Sequence, residues 1–322
     1  MLRNTLRRCI GVAAIGGAAA LSAAAQSATP SPVALASTVR APSRPTTVLV
    51  HGLDSSKETW SGVLADLTKA GYPALALDLR GHGESPLGDP ASFSPTALAN
   101  DVIVAARAHG VENGAVLVGH SMGGRVAMRV AALDGMSDAP LFSSVVIEDM
   151  DLRVRARAAA CLSAEQAEEI SAFEAEAGRR FPDWSSARAA LLRWYDGDSA
   201  RVDGWKGSRV RTLPGERGVW SDLNPAAQRL ARDRILASSD GAAAWDGLNG
   251  LPTKVHLWYA DNPGTVCEVK GPAGIEDMAT RLPAAKVRFF PGSSHSIHNS
   301  AREEFVLALR QVVDDASLAS SP

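Results

Sequence analysis

Short apolar runs alternate with amphipathic stretches along most of the chain. Thr46–Val50, Ala74–Asp78, Ala115–Gly119, Ser144–Ile147, Lys254–Tyr259 and Val287–Phe290 are too short for helices and too continuous for half-exposed strands. They read as strands buried on both faces. Between them the apolar positions recur at helical spacing. Trp60, Val63, Leu64 and Leu67 share one face of a helix expected to open on Ser55 and Glu58 as a capping box and to stop at Gly71. Ser94-Pro95 opens a second helix, which turns Leu98, Val102 and Ala106 toward the sheet. A third helix is expected over Met122–Leu133. A last one is expected after Asn299-Ser300, with Ser300 and Glu303 as its capping pair. This alternation predicts an α/β fold with a mostly parallel sheet flanked by helices.

The pattern breaks twice. Residues 26–45 carry Pro30, Pro32, Pro42 and Pro45 among Ser and Ala and read as a linker, with room for a short edge strand within Val33–Val39. Residues 151–251 are helical in period, charged and without a clear strand run. They read as a helical cap inserted between the strands near 147 and 254, which divides the core into 46–150 and 252–316. Trp184, Trp194, Trp205, Trp220 and Trp245 fall in this stretch, and most are expected to pack the cap rather than line a pocket.

With 322 residues, 46% of them hydrophobic, the chain is long enough for a full-sized core. Its formal charge of −2 gives no electrostatic case for nucleic acid or an anionic membrane. At the N-terminus, Arg3, Arg7 and Arg8 precede an apolar run from Ile10 to Leu21 and the small triplet Ala23-Ala24-Ala25. This is the layout of a cleaved signal over residues 1–25, and the apolar run falls short of the roughly 20 residues that span a bilayer. The expectation is a periplasmic or secreted protein without stable membrane association, with general secretory and twin-arginine routes both open. Cys161 and Cys267 then remain. They lack zinc-site spacing, and whether they are bridged is open.

Chemistry concentrates at Gly119-His120-Ser121-Met122-Gly123, which matches G-x-S-x-G with a strand before it and a helix after it. That context makes Ser121 a candidate nucleophile on a tight strand-to-helix turn, with the Met122 N–H at the helix start facing the reacting centre. Side chains at 119 or 123 would strike the neighbouring strand or helix.

These features resemble the α/β-hydrolase superfamily, and specifically its serine-nucleophile, esterase-like members, over roughly residues 46–315. His51-Gly52 after the first strand resembles the oxyanion turn, which implies the Leu53 N–H as a second donor beside that of Met122. The segment Asp78–Ser85 resembles the family's tight loop after the next strand, with His82 structural. In Pro291–His298, His295 matches the family base, and His298 takes a structural place. Two histidines three apart suggest metal, but no carboxylate is spaced nearby to join them. The acid is implied at Asp261, after the strand that usually carries it, with Asp149 as the alternative. The short stretch before Thr46 leaves no room for two leading strands. The resemblance implies a cofactor-free, metal-free serine hydrolase acting on a small-molecule ester or related acyl substrate. Perhydrolase or haloperoxidase-like chemistry, C–C or lactone cleavage, and a silent ligand-binding module remain as alternatives on the same site.

Overall fold

The computed structural model describes residues 31–40, 46–154, 180–194, 199–207, 209–212, 215, 217–262 and 272–319. The expected signal, half of the linker, and both Cys161 and Cys267 lie outside them. The chain opens with β1 (Ser37–Arg40), β2 (Thr47–Val50), α1 (Ser61–Lys69), β3 (Ala74–Leu77), α2 (Pro95–Ala108) and β4 (Ala115–His120). It continues through α3 (Met122–Asp134) and β5 (Phe142–Glu148). An insertion follows, made of β6 (Arg180–Phe181), α4 (Trp184–Trp194), α5 (Ser199–Asp203), β7 (Val210–Arg211), β8 (Val219–Ser221), α6 (Pro225–Ala231) and α7 (Asp240–Asp246). The chain closes with β9 (Lys254–Asn262), α8 (Pro272–Arg281), β10 (Lys286–Ser294), α9 (Ile297–Ser300) and α10 (Arg302–Ala319).

Seven strands form one sheet in the order β1-β3-β2-β4-β5-β9-β10. All its pairings are parallel except that of β1 with β3. Among the described residues one strand, β1, covers the edge beside β3; it overlaps the expected Val33–Val39 and runs one residue past it. The sheet is buried from both sides, which explains the unbroken apolar runs. Val48, Val50, Leu75, Leu77 and Leu117 face a core shared with α2 and α3. Leu49, Ala76, Val116 and Val118 face the opposite core, shared with α1 and α10.

Three sequence expectations change. The Ser55–Glu58 capping box does not form: the Lys57 N–H donates to Asp78 at 2.6 Å, the chain makes a 3-10 turn over Lys57–Trp60, and α1 starts at Ser61. Ser300 does not cap with Glu303. Its hydroxyl instead accepts from the Ser294 N–H and donates to the Ser296 carbonyl, ahead of a helix that starts at Arg302. The insertion is not purely helical, since β6, β8 and β7 pair antiparallel in a second small sheet. Strands of two or three residues are too short to leave a period-two signal. Trp184 and Trp205 pack with a small core of the insertion, as expected of most of its tryptophans. Trp245 belongs to the main core, where its indole N–H donates to the Met278 carbonyl at 3.0 Å. Among the described residues, no helix is long and apolar enough to cross a membrane.

Candidate active site

Ser121 lies between β4 and α3 with φ 52° and ψ −122°, a conformation that non-glycine residues rarely adopt. The flanking glycines make it possible. A Cβ at Gly119 would stand 2.3 Å from the Gly123 carbonyl oxygen, and one at Gly123 would stand 2.4 Å from that of His51. The helix and β2 can close on the turn only because both side chains are missing. Met122 opens α3, so its N–H sits at the positive end of the helix beside the Ser121 hydroxyl. The turn carrying Leu53 abuts the same place, since a Cβ at Gly52 would lie 3.0 Å from the Ser121 Cβ.

His51 braces that turn from beneath. Its Nδ1–H donates to the Gly52 carbonyl at 2.7 Å, and its Nε2 accepts the Leu79 N–H at 3.1 Å. Accepting at Nε2 requires the neutral ring. Burial, reinforced by His82, pushes its pKa down to about 3. Asp78 accepts from the Lys57 N–H and ammonium and from the Glu84 N–H. Burial opposes its ionisation, but the Lys57 ammonium and these N–H donors outweigh it and hold the carboxyl below the ordinary range. His82 stays in this supporting loop, its Nδ1–H on the Arg80 carbonyl.

His295 follows β10 and turns over the sheet. Its Nε2 lies 2.9 Å from the Ser121 hydroxyl and its Nδ1 lies 2.6 Å from Asp149 Oδ2. A carboxylate only accepts, so Nδ1 carries the hydrogen and Nε2 is left to accept the serine proton. Asp149 is 2% exposed and bends off the end of β5 at φ 47°, where its N–H donates to the Trp258 carbonyl and its Oδ1 accepts from the Ala260 N–H.

Asp261, the expected acid, does not join this group; the aspartate beside His295 is the alternative, Asp149. β9 continues to Asn262, with a register shift against β10 after Ala260, and along it Ala260 is buried while Asp261 is exposed. There its carboxylate accepts the Gly292 N–H at 3.1 Å. β5 is also the strand next to β4, with His120 opposite Glu148, whereas β9 lies one strand further away.

A carboxylate does join His298, contrary to expectation, and it comes from 150 residues away. Glu148 Oε1 accepts from His298 Nδ1–H at 2.8 Å, and His120 lies against the same ring. The ligand atoms of His120, Glu148 and His298 all fall within 4.8 Å of one another, close enough to be weighed as a metal set. Both His298 nitrogens are already engaged, Nδ1 by Glu148 and Nε2 by Thr59 at 2.9 Å. A cation there would have to displace hydrogen bonds that already satisfy buried groups.

Beside the Leu53 turn, a cavity of about 630 Å³ opens between core and insertion. Ser55, Ser56, Glu58 and Thr59 line it from the core, and Arg209, Arg211 and Asp222 from the insertion. Arg209 reaches across to donate to the Asp54 carbonyl while pairing with Asp222 at 3.0 Å.

Comparison with known proteins agrees with this architecture. Esterase Rv0045c of Mycobacterium tuberculosis is 28% identical over 278 residues, 84% of each chain. Lipase LipV of the same organism is 30% identical over 202 residues, 61% of this chain and 70% of its own. The crystal structure of E-2-(acetamidomethylene)succinate hydrolase superposes with a TM-score of 0.62 at 22% identity, covering 87% of this chain and 95% of the other. A marine microorganism esterase gives the same TM-score at 16% identity, over 87% and 99%. The sequence model described as "Alpha/beta hydrolase family" matches residues 47–309, and the chain belongs to the α/β-hydrolase family.

Proposed function

We propose that the protein is a serine carboxylic ester hydrolase working through an acyl-enzyme. The observation that carries this is the hydrogen-bonded series Ser121–His295–Asp149, at 2.9 and 2.6 Å. His295 Nε2 takes the Ser121 proton as Oγ attacks the ester carbonyl, and Asp149 stabilises the imidazolium that forms. The N–H groups of Leu53 and Met122 hold the developing oxyanion. When the tetrahedral intermediate collapses, the imidazolium gives its proton to the departing alkoxide. Water then repeats the sequence on the acyl-enzyme and releases the acid. The names of the esterase and lipase relatives support the same reaction class.

The acyl preference is read on substrates, because the cavity beside the Leu53 turn is walled by hydroxyls, guanidinium groups and the carboxylates of Glu58 and Asp222 and by none of the reacting groups. A panel of p-nitrophenyl esters of rising chain length should be hydrolysed by wild type and not by Ser121→Ala. A fluorophosphonate probe should label wild-type protein and leave Ser121→Ala untouched. Folded wild-type protein that neither labels nor hydrolyses any ester would favour a binding module instead. We further propose export, on the strength of the basic head and apolar run at residues 1–25. N-terminal sequencing of the exported protein should find its start near residue 26.

A further inference from the structure

Each segment that carries a reacting residue also buries a polar neighbour. His120 precedes Ser121, Glu148 precedes Asp149, and His298 follows His295 by three. Glu148 and His298 are fully buried, and His120 nearly so. Glu148 Oε1 accepts both the His298 backbone N–H at 2.9 Å and its Nδ1–H at 2.8 Å, while Oε2 accepts the same Nδ1–H at 3.0 Å. Thr59 takes the far side of the His298 ring, and Trp60 covers it with ring centroids 4.2 Å apart. His120 Nε2–H donates to the His295 carbonyl at 3.0 Å. The backbone that follows the His295 side chain is therefore tied to two strand ends, its carbonyl to β4 and the start of α9 to β5.

Resting on the Ser121–His295 reading, we propose that Glu148 and His298 form a positioning pair that sets where His295 stands relative to Ser121. Glu148 is suited to this because the next residue is Asp149. One bend at the end of β5 thus anchors the backbone of the 295–298 turn through Glu148 and its imidazole through Asp149. An apolar pair of equal volume would fill the same space without the cost of burying a carboxylate. It would lack the directional bonds that stop the turn from sliding, and a shift near 1 Å at a catalytic group costs about a hundredfold in rate.

Substitution at His298 tests the pair. His298→Ala should lower kcat by about ten- to a hundredfold, with KM within about threefold. The rate of fluorophosphonate labelling at Ser121 should fall by the same factor. His298→Asn places an amide N–H where Nδ1–H stood and should recover most of both rates. His298→Gln reaches toward Thr59 instead and should recover neither. Rates are taken per folded molecule, so a role in stability alone would leave them unchanged while lowering the Tm of Asn and Gln variants alike. If His298→Ala does not fold, the Asn and Gln variants decide the matter between themselves. Labelling and kcat within twofold of wild type in His298→Ala, or recovery by Gln as complete as by Asn, would overturn the proposal. Wild-type protein that does not label at all would sink the hydrolase reading, and this pair with it. Normal wild-type labelling with indifferent His298 variants would remove only the positioning role.

Discussion

Asp149 holds a left-handed backbone, φ 47°, at which most side chains are disfavoured, and short polar residues tolerate it best. That bend directs its carboxylate back across β5 to His295 instead of along the strand. Asp149→Asn should keep the fold, because an amide still fits the turn, but it removes the charge that stabilises the imidazolium and permits the wrong tautomer. A loss in kcat of about ten-thousand-fold is expected with ester substrates. Among the described residues Asp261 makes an exposed contact with Gly292, and Asp261→Asn should stay within a few-fold of wild type. A large loss at Asp261 with little at Asp149 would reverse the assignment. The adjacent glycines give a second outcome at this scale. Gly123→Ala drives a methyl to 2.4 Å from the His51 carbonyl, where backbone must move. It should abolish fluorophosphonate labelling even in protein whose circular dichroism remains native.

Among elements, the supporting loop after β3 is held to α2 by a buried ion pair. Arg80 Nε and Nη2 meet the two oxygens of Asp101 on α2 at 2.5 and 2.8 Å with neither side chain exposed, and Asp101 also accepts the Val33 N–H at 2.8 Å. Asp101→Ala leaves a buried guanidinium without its carboxylate and should cost about 3–5 kcal/mol in urea unfolding, a mark of how firmly α2 pins this loop. A cost below 1 kcal/mol would mean that solvent reaches Arg80. The ion pair also shows what a sequence reader can and cannot see. Strands buried on both faces and the Ser121 turn are legible because each is local: a run of apolar residues, or glycines at fixed offsets from a serine. Ser94 caps α2 through the Ala97 N–H as its Ser-Pro pair announces. Ser55 and Ser300 carry an equally good local signal and lose to other partners, the distant Asp78 for the first turn and the nearby Ser294 for the second. The same limit hid Glu148 from His298 and tipped the acid toward Asp261. Strand order decides which aspartate lies beside Ser121, and nothing local in the sequence encodes the order β4-β5-β9.

For the whole molecule, burial of histidines sets how stability responds to acid. His51 is pushed down to about 3 by burial, and His256 to about 4 by burial, with Lys286 and Lys254 adding to the effect and Asp315 opposing it. In the unfolded chain both titrate near 6.5. Between that value and their folded values the unfolded state binds protons that the native state refuses, so stability is complete above about pH 6.5 and declines as pH falls. Each histidine adds a slope of about 1.4 kcal/mol per pH unit inside its window. Asp134 and Asp222 run the other way, because burial raises their carboxyls and the native state then keeps protons that the unfolded chain releases. The total slope therefore mixes signs, and a difference between variants isolates one group. His256 sits on β9 opposite Val146 of β5 and Lys286 of β10, away from the Ser121 turn, so His256→Gln leaves the active centre intact. The unfolding free energy of wild type minus that of His256→Gln should be flat above about pH 7. It should fall by about 1.4 kcal/mol per unit between about pH 6 and 4.5 and flatten again below about 4. A difference that does not change with pH would show that His256 is protonated in the native state as readily as in the unfolded chain, so that its burial between β5 and β10 excludes no charge.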